Sequence, residues 1–445
     1  MLKNYFKIAL KVMMRKKFFS FISLFGISFT LMILMVVTAF LDIELGSHAP
    51  LTQQDKMVFL DRLELKLMIP DTNRIIDSTR NDGIVTLDTS YSYSERQRSM
   101  SASSLGYYYL NKYMSDIEAA EDYCIYSDRH TVDVFINSNK LTLSSSYVSA
   151  SFWNIFDFQL VEGNFFGRTA IDNQEKVAVI TQKTAKEYFG VDQGITGQEM
   201  ILDDQHIKVV GIVKTPPSNQ LFLSSGLFLP LTNINPRWLT SDDFLGGFRA
   251  AYLAASSAKR QAIKDEIKKK TAMVQLPNPE QYNRVNVITA NFLENYAENL
   301  LNEGDPAKSS SIFLYSLGGL LLLFFILPTL NLVNINVSRI LERSSEIGLR
   351  KAFGANANDI LYQFVFENIL LTFVGGIIGF LLALLLFFVI NSSQVLPETI
   401  LSFNYQVFFY SFLICLFFGI LSGLIPAYKM SKIHIVNALK QNSNG

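Results

Sequence analysis

The chain has 445 residues, 49% of them hydrophobic, 13% aromatic and 18% charged, against roughly 25% charged in an ordinary soluble domain. Lysine plus arginine total 39 and aspartate plus glutamate total 39, so no bulk charge calls for a nucleic-acid partner. The shortfall of charge lies in a few long apolar runs, which excludes a purely soluble globular enzyme.

Residues 1–17 carry six Lys/Arg and no acid, residues 338–367 carry four, and residues 429–445 carry three. Against Glu342, Glu346, Asp359 and Glu367 these segments hold a net +9, while residues 42–310 hold −8 and Glu398 adds −1. Basic ends around an acidic middle report the two sides of a membrane. Crossing a bilayer takes about 20 mostly apolar residues, and four runs are long enough: 18–41, 312–330, 369–390 and 407–428. The first exceeds the roughly 7–15 residues of a signal-peptide core and has no small-x-small site close behind it, so it reads as an uncleaved anchor. Residues 1–17 read as a basic amphipathic helix, with Tyr5, Phe6, Ala9, Leu10 and Met13 on the face toward membrane lipids.

The positive-inside rule then gives a plan in chain order. The basic helix 1–17 is cytoplasmic, helix one spans 18–41, and a large domain over 42–310 lies outside. Helix two covers 311–337, a cytoplasmic loop 338–361, and helix three 362–390. A short outer loop, 391–406, precedes helix four at 407–428 and a cytoplasmic tail, 429–445. This fold is an α-helical membrane protein with one plus three helices and an α+β extracytoplasmic insertion. The interiors of helices two and three hold no ionisable residue, and helix four holds none up to Lys429, which argues against an ion or proton pathway.

Within the insertion, residues 42–125 are polar and rich in serine and tyrosine, with weak periodicity. The pattern beyond predicts a strand at 176–181, a helix at 183–189 closed by Gly190, and a hairpin of 198–202 with 206–213 about Asp203-Asp204-Gln205. Further strands are predicted at 226–231, 251–255 and 284–289. A serine-capped, lysine-rich helix follows at 257–271, and an amphipathic one at 290–302. Asp305-Pro306 reads as the cap and first position of helix two. Glu162, Asp172 and Glu175 are carboxylates among 34 acids in this stretch, and a solvated face accounts for them. There is no GxSxG, no GxGxxG and no Walker-type phosphate loop. Without CxxC or HExxH, and with His48, His130, His206 and His434 scattered, no metal site is expected; Cys124 and Cys415 read as free thiols.

The cytoplasmic loop is the most informative stretch. A helix over 337–353 is predicted, with Glu342, Glu346 and Arg350 at i, i+4 and i+8, so that Glu346 and Arg350 can pair. Gly354 ends it, and a second helix starts near Asn358. A charged helix turning sharply back toward the membrane suits contact with a cytosolic partner. Gly375, Gly376 and Gly379 favour close helix contact, either within one chain or between two.

The run Glu342-Arg343-x-x-Glu346-Ile347-Gly348-x-Arg350-Lys351-Ala352-x-Gly354-Ala355 resembles the cytoplasmic signature of MacB/FtsX-type ABC transporter permeases. Glu367 ahead of the three glycines, and Ile425-Pro426-Ala427 near the end, fit the same pattern. Tyr147-Val148-Ser149 with Phe152, and Glu162-Gly163-Asn164-Phe165, resemble the MacB periplasmic core; only residues 42–125 or so stay outside the likeness. The resemblance implies a dimer of permeases, with a second copy or a related chain, served by cytosolic ABC ATPase subunits that bind ATP-Mg. Glu342, Arg343, Glu346, Gly348, Arg350, Lys351 and Gly354 would then couple to the ATPase. No fused ATPase is expected and the chain itself binds no cofactor, so it is a non-catalytic subunit of the inner membrane. Two roles stay open: export or extraction of a lipophilic compound, peptide or lipoprotein by mechanotransmission, or FtsX-like signalling to a periplasmic hydrolase. A periplasmic adaptor or hydrolase is the further partner. A membrane-anchored enzyme is disfavoured, because one helix would anchor it.

Overall fold

The computed structural model describes residues 14–15, 17–81, 84–136, 139–216, 223–342, 349, 353, 356–393, 401, 405–406, 408–410, 412–414, 416–417, 420, 424 and 428. The chain divides into two compact units: residues 1–46 with 314–445, and the inserted domain 47–313.

In the first unit, helix α1 (Lys17–Leu45) carries no charged residue between Lys17 and Asp42. Three helical stretches among the described residues are long and apolar enough to cross a bilayer: Ser20–Leu45, Pro306–Phe324 and Leu361–Ser393. The described residues between 405 and 428 are helical. Residues 1–13, the predicted basic helix, lie outside the described residues.

The inserted domain is built on one mixed sheet that joins thirteen strands among the described residues. Its first two strands, β1 (Met57–Asn81) and β2 (Ile84–Leu105), form a long antiparallel ribbon. This is the stretch whose sequence shows no clear periodicity. Beside the root of the ribbon lie β12 (Phe248–Leu253), paired with β1 at Met57–Leu60, and β13 (Arg284–Ala290), paired with β1 from Phe59 to Lys66. Beyond Lys66, β1 pairs with β2 alone as far as Asn81. At about 3.3 Å per residue that two-stranded part runs on the order of 45 Å.

From β12 the sheet continues through β3 (Asp122–Ser127), β5 (Asn139–Val148), β10 (Leu227–Pro230), β7 (Val177–Thr181) and β9 (Gln205–Val213) to β6 (Leu160–Gly163). β4 (His130–Ile136) pairs with β5, β8 (Glu199–Leu202) with β9, and β11 (Leu245–Gly246) with β2. One apolar core joins Val58, Leu63, Tyr109, Phe248, Tyr252 and Ile267, and a second joins Val134, Ile180, Met200, Val209 and Leu227. Phe152, Phe156, Phe158 and Phe228 pack ring against ring at centroid distances of 4.7–5.7 Å, and Trp153 stacks on Phe165 at 4.5 Å.

Local chemistry explains the predicted elements. Helix α2 (Gln182–Phe189) is capped by Thr181, which accepts from Thr184 N, and ends at Gly190 with φ 79°. The β8–β9 turn holds Asp203 and Asp204 at φ 46° and 61°, the left-handed pair a two-residue hairpin turn requires. Helix α3 (Arg260–Ala272) departs from expectation: Ser257 sits in a preceding 3₁₀ turn and its hydroxyl donates to Asp55, so it does not cap the helix. Helix α4 (Phe292–Leu301) has a full capping box between Asn291 and Glu294. Asp305 Oδ1 accepts from Ala307 N at 3.0 Å at the start of α5 (Pro306–Glu342).

Cys124 is a free thiol, fully buried on β3, and burial pushes its pKa up. A buried, protonated thiol is a poor nucleophile. We expect native Cys124 to resist maleimide labelling until the chain unfolds, whereas a cysteine placed at exposed Asn278 should label readily; rapid labelling of Cys124 in the folded protein would contradict its burial. Cys415 lies outside the described residues.

Candidate coupling site

Helix α6 (Ala357–Ser393) buries one face among the described residues of the membrane unit. Gln363, Glu367, Asn368, Leu371, Thr372, Ala383 and Phe387 are buried, on the spacing of one helical face that also holds the three glycines. That face packs on α1 in parallel register. A Cβ built at Gly375 would lie 2.7 Å from Ile27 Cγ2, and one at Gly379 only 2.7 Å from the backbone oxygen of Ser28. At Gly376 it would meet the Phe412 ring at 2.8 Å. Ile27, Leu31, Leu34 and Leu371 form the apolar seam, and Ala39, Phe387 and Leu401 a second cluster. In this structure the three glycines therefore face helices of their own chain.

Toward the Ala357 end the same face becomes polar. Gln363 Nε2 donates to Glu367 Oε1 at 3.1 Å, and Ser20 and Ser23 of α1 are buried as well. The expectation of a helix without ionisable groups holds for 369–390 only: α6 begins at Ala357, and its buried face includes Glu367. The sequence signal was the i, i+4, i+5, i+9 spacing of Gln363, Glu367, Asn368 and Thr372, which a window restricted to apolar residues passes over.

Of the predicted coupling residues, Glu342 is the last residue of α5. Arg343, Glu346, Gly348, Arg350, Lys351 and Gly354 lie outside the described residues. Between them, Leu349 and Phe353 are described: Phe353 N donates to Leu349 O at 3.1 Å, one helical turn, and the side chains are 55% and 84% exposed. Two large apolar side chains on one turn of a charged loop are a surface in search of cover. The charge pattern drew attention away from them, although their i, i+4 spacing is plain in the sequence.

The carboxylates that the sequence singles out in the inserted domain are structural. Glu162 accepts from the backbone nitrogens of Gly194 and Thr196, the latter at 3.0 Å, so it ties a loop. Its carboxyl lies below the ordinary range, held first by the Thr196 hydroxyl. Asp172 pairs with Arg168 at 3.8 Å on the surface, and Glu175 accepts from Asn173. Among the described residues no group of His, Cys, Asp and Glu could hold a metal ion. Among the described residues, Arg249 is held between two carboxylates, reaching Asp128 at 2.5 Å and Asp61 at 3.5 Å.

Residues 20–270 match the MacB-like periplasmic core domain family, and residues 318–435 match the FtsX-like permease C-terminal family. The chain belongs to the MacB/FtsX family of ABC transporter permeases. The match runs through residues 42–125, which the motif reading had left outside. The pyoverdine export ATP-binding/permease protein PvdT of Pseudomonas syringae pv. syringae (strain B728a) is 27% identical over 301 residues, covering 66% of this chain and 43% of PvdT. The macrolide export ATP-binding/permease protein MacB of Salmonella typhi is 24% identical over 313 residues, 69% of this chain and 44% of that one. The chain thus matches less than half the length of these relatives. Among solved structures, the periplasmic region of MacB from Actinobacillus actinomycetemcomitans covers 41% of this chain and 78% of its own, at 12% identity and a TM-score of 0.31.

Proposed function

We propose that this MacB/FtsX permease converts ATP hydrolysis on a separate cytosolic ATPase into movement of its inserted domain, exporting or extracting a lipophilic compound, peptide or lipoprotein. The observation that carries the reading is the continuous buried face of α6 on α1. The coupling segment 343–356 joins α5 to α6. A push on it would travel along α6, be shared with α1 through backbone-close contacts, and leave α1 along the chain at residue 47. Interiors packed this closely transmit strain rather than absorb it.

The proposal includes a fourth helix over 407–428, both termini in the cytosol, an inner-membrane location and the inserted domain on the far side. It includes a dimer with a second copy or a related permease, an ATPase supplied by another chain that binds ATP-Mg, and an adaptor outside the membrane. The names of the relatives, which export pyoverdine and macrolides, support transport over signalling.

The test is co-purification of the ATPase with three forms of the full-length chain. Surface changes usually stay within about 0.5 kcal/mol of neutral, so Phe353→Ser, and separately Glu346→Lys with Arg350→Glu, should melt like the parent. Charge reversal sets like charges against the partner, at a cost of several kcal/mol at an interface, and Phe353→Ser removes an exposed apolar anchor, so bound ATPase should fall at least tenfold in both variants. Undiminished ATPase binding in both would defeat the coupling role.

A further inference from the structure

The inserted domain contains a cleft of about 600 Å³ near the root of the β1–β2 ribbon, where β3 ends and β11 and β12 begin. Pockets of roughly 300–1,000 Å³ hold drug-sized molecules. Trp238 stands at its edge on the short helix Pro236–Thr240, which Asn235 caps by accepting from Arg237 N at 3.1 Å. The indole is 42% exposed. It lies so close to the Gly247 backbone that a Cβ there would come within 2.6 Å of Cζ3. His130 meets it edge to face at 5.4 Å, Phe248 at 6.2 Å, and Tyr107 packs on Phe248 at 5.7 Å. Part of the lining is therefore an aromatic cluster, with Trp238 seated on the Gly247 backbone. Trp153, the other tryptophan of the chain, is buried among phenylalanines, so an indole left in solvent here wants a reason.

Of the charged groups lining the cleft, Asp243 and Arg237 make no ion pair among the described residues, and Arg237 is the cation. Asp128 is answered by Arg249 at 2.5 Å. Asp243 accepts from the Ser241 hydroxyl at 2.5 Å. Arg237 lines the same cleft, is exposed, and makes no ion pair among the described residues. Guanidinium groups recognise carboxylates through paired N–H donors. The stretch 42–310 carries a net −8, which disfavours a polyanion more strongly than a singly charged ligand.

We propose that this cleft is a binding site for a planar aromatic monocarboxylate, its ring against Trp238 and its carboxylate on Arg237. The site goes beyond the coupling reading and does not depend on it, because binding needs neither ATPase nor nucleotide. Equilibrium dialysis of naphthalene-2-carboxylate against the full-length chain in lipid nanodiscs tests it, with empty nanodiscs subtracting lipid partition and naphthalene-2-carboxamide as the neutral twin. One saturable site per chain is expected. Arg237→Gln should weaken the carboxylate at least tenfold and the amide less than twofold, and Trp238→Ala should weaken both at least tenfold. With Trp238 gone, emission comes from buried Trp153 alone and reports whether the core is intact; Arg237 is exposed, so its variant decides the matter even if Trp238→Ala fails to fold. No saturable excess over empty discs, or an equal loss of both ligands in Arg237→Gln, overturns the proposal, as does retained binding in a folded Trp238→Ala.

Discussion

Gly379→Leu should be among the most damaging single substitutions in the membrane unit, and Gly376→Ala the mildest of the alanine replacements at the three glycines of this face. The difference lies in what each new Cβ meets. At Gly379 it would lie 2.7 Å from Ser28 O and 3.2 Å from Ser28 Cα, with Leu31 Cβ at 3.0 Å. Backbone cannot rotate away, so α1 and α6 must part along their length. At Gly376 the obstacle is the Phe412 ring at 2.8 Å, and a ring can turn. Overpacking typically costs about 1–3 kcal/mol, which we assign to Gly379→Ala, with the leucine variant higher still. Gly375 stands between them, because Ile27 Cγ2 at 2.7 Å belongs to a stiff β-branched side chain. Thermal unfolding of the full-length chain in nanodiscs, followed by circular dichroism, should rank the variants Gly379→Leu, Gly379→Ala, Gly376→Ala from least to most stable. Equal melting of the two alanine variants would mean that backbone proximity at Ser28 does not set the spacing of this pair.

What could be read from the sequence followed the physics of each signal. Long apolar helices declare themselves by length, and Gly190 and Asp305 by the backbone groups they satisfy. The ribbon did not, because its pairing rests on backbone hydrogen bonds. Among the described residues no third strand joins it beyond Lys66, and residues 91–100, Tyr91, Tyr93 and Met100 included, are all exposed, so no buried face there imposes an alternating pattern. Ser257 looked like a cap because serine before a helical run often is one, yet Asp55, 202 positions away in sequence, takes its hydroxyl. The motif residues of the inserted domain proved to be joints of the fold: Ser149 Oγ accepts from Ile125 N, and Asn164 N donates to Val210 O. The Trp238 cleft was invisible for a related reason. Its parts come from positions 106–107, 128–130 and 237–248, and only the sheet brings them together.

Arg249→Met should destabilise the inserted domain more than any other surface-accessible charge change, by about 2–3 kcal/mol. Breaking a fully buried ion pair costs roughly 3–5 kcal/mol, and Arg249 is 26% exposed, which screens part of that loss. A register shift between Leu60 and Arg62 makes Asp61 the extra residue of β1. Its Oδ1 lies 3.5 Å from Arg249 and accepts from Tyr126 OH at 3.4 Å, while Oδ2 is buried without a hydrogen bond. Burial lifts its pKa above the ordinary carboxylate value, against the pull of Arg249. The folded state therefore holds this proton more tightly than the unfolded chain, and stability from this group falls as pH rises from the unfolded pKa, about 3.9, through the raised one. Removing Arg249 takes away the cation that restrains the shift, so the window widens upward. The deficit of Arg249→Met relative to the parent should be smaller at pH 5 than at pH 8. Carboxyls whose pKa values are lowered, such as Glu64 and Glu266, lose their contribution as pH falls, but they are common to both proteins and cancel in the difference. Adding Asp61→Asn to Arg249→Met should recover part of the loss at pH 8 and flatten the pH dependence, because a neutral amide no longer needs the cation. Chemical denaturation of the four proteins of this cycle across pH 5–8 reads the effect directly. A deficit that does not change with pH, or a double variant no better than Arg249→Met alone, would show that Asp61 is not the charge Arg249 holds in place.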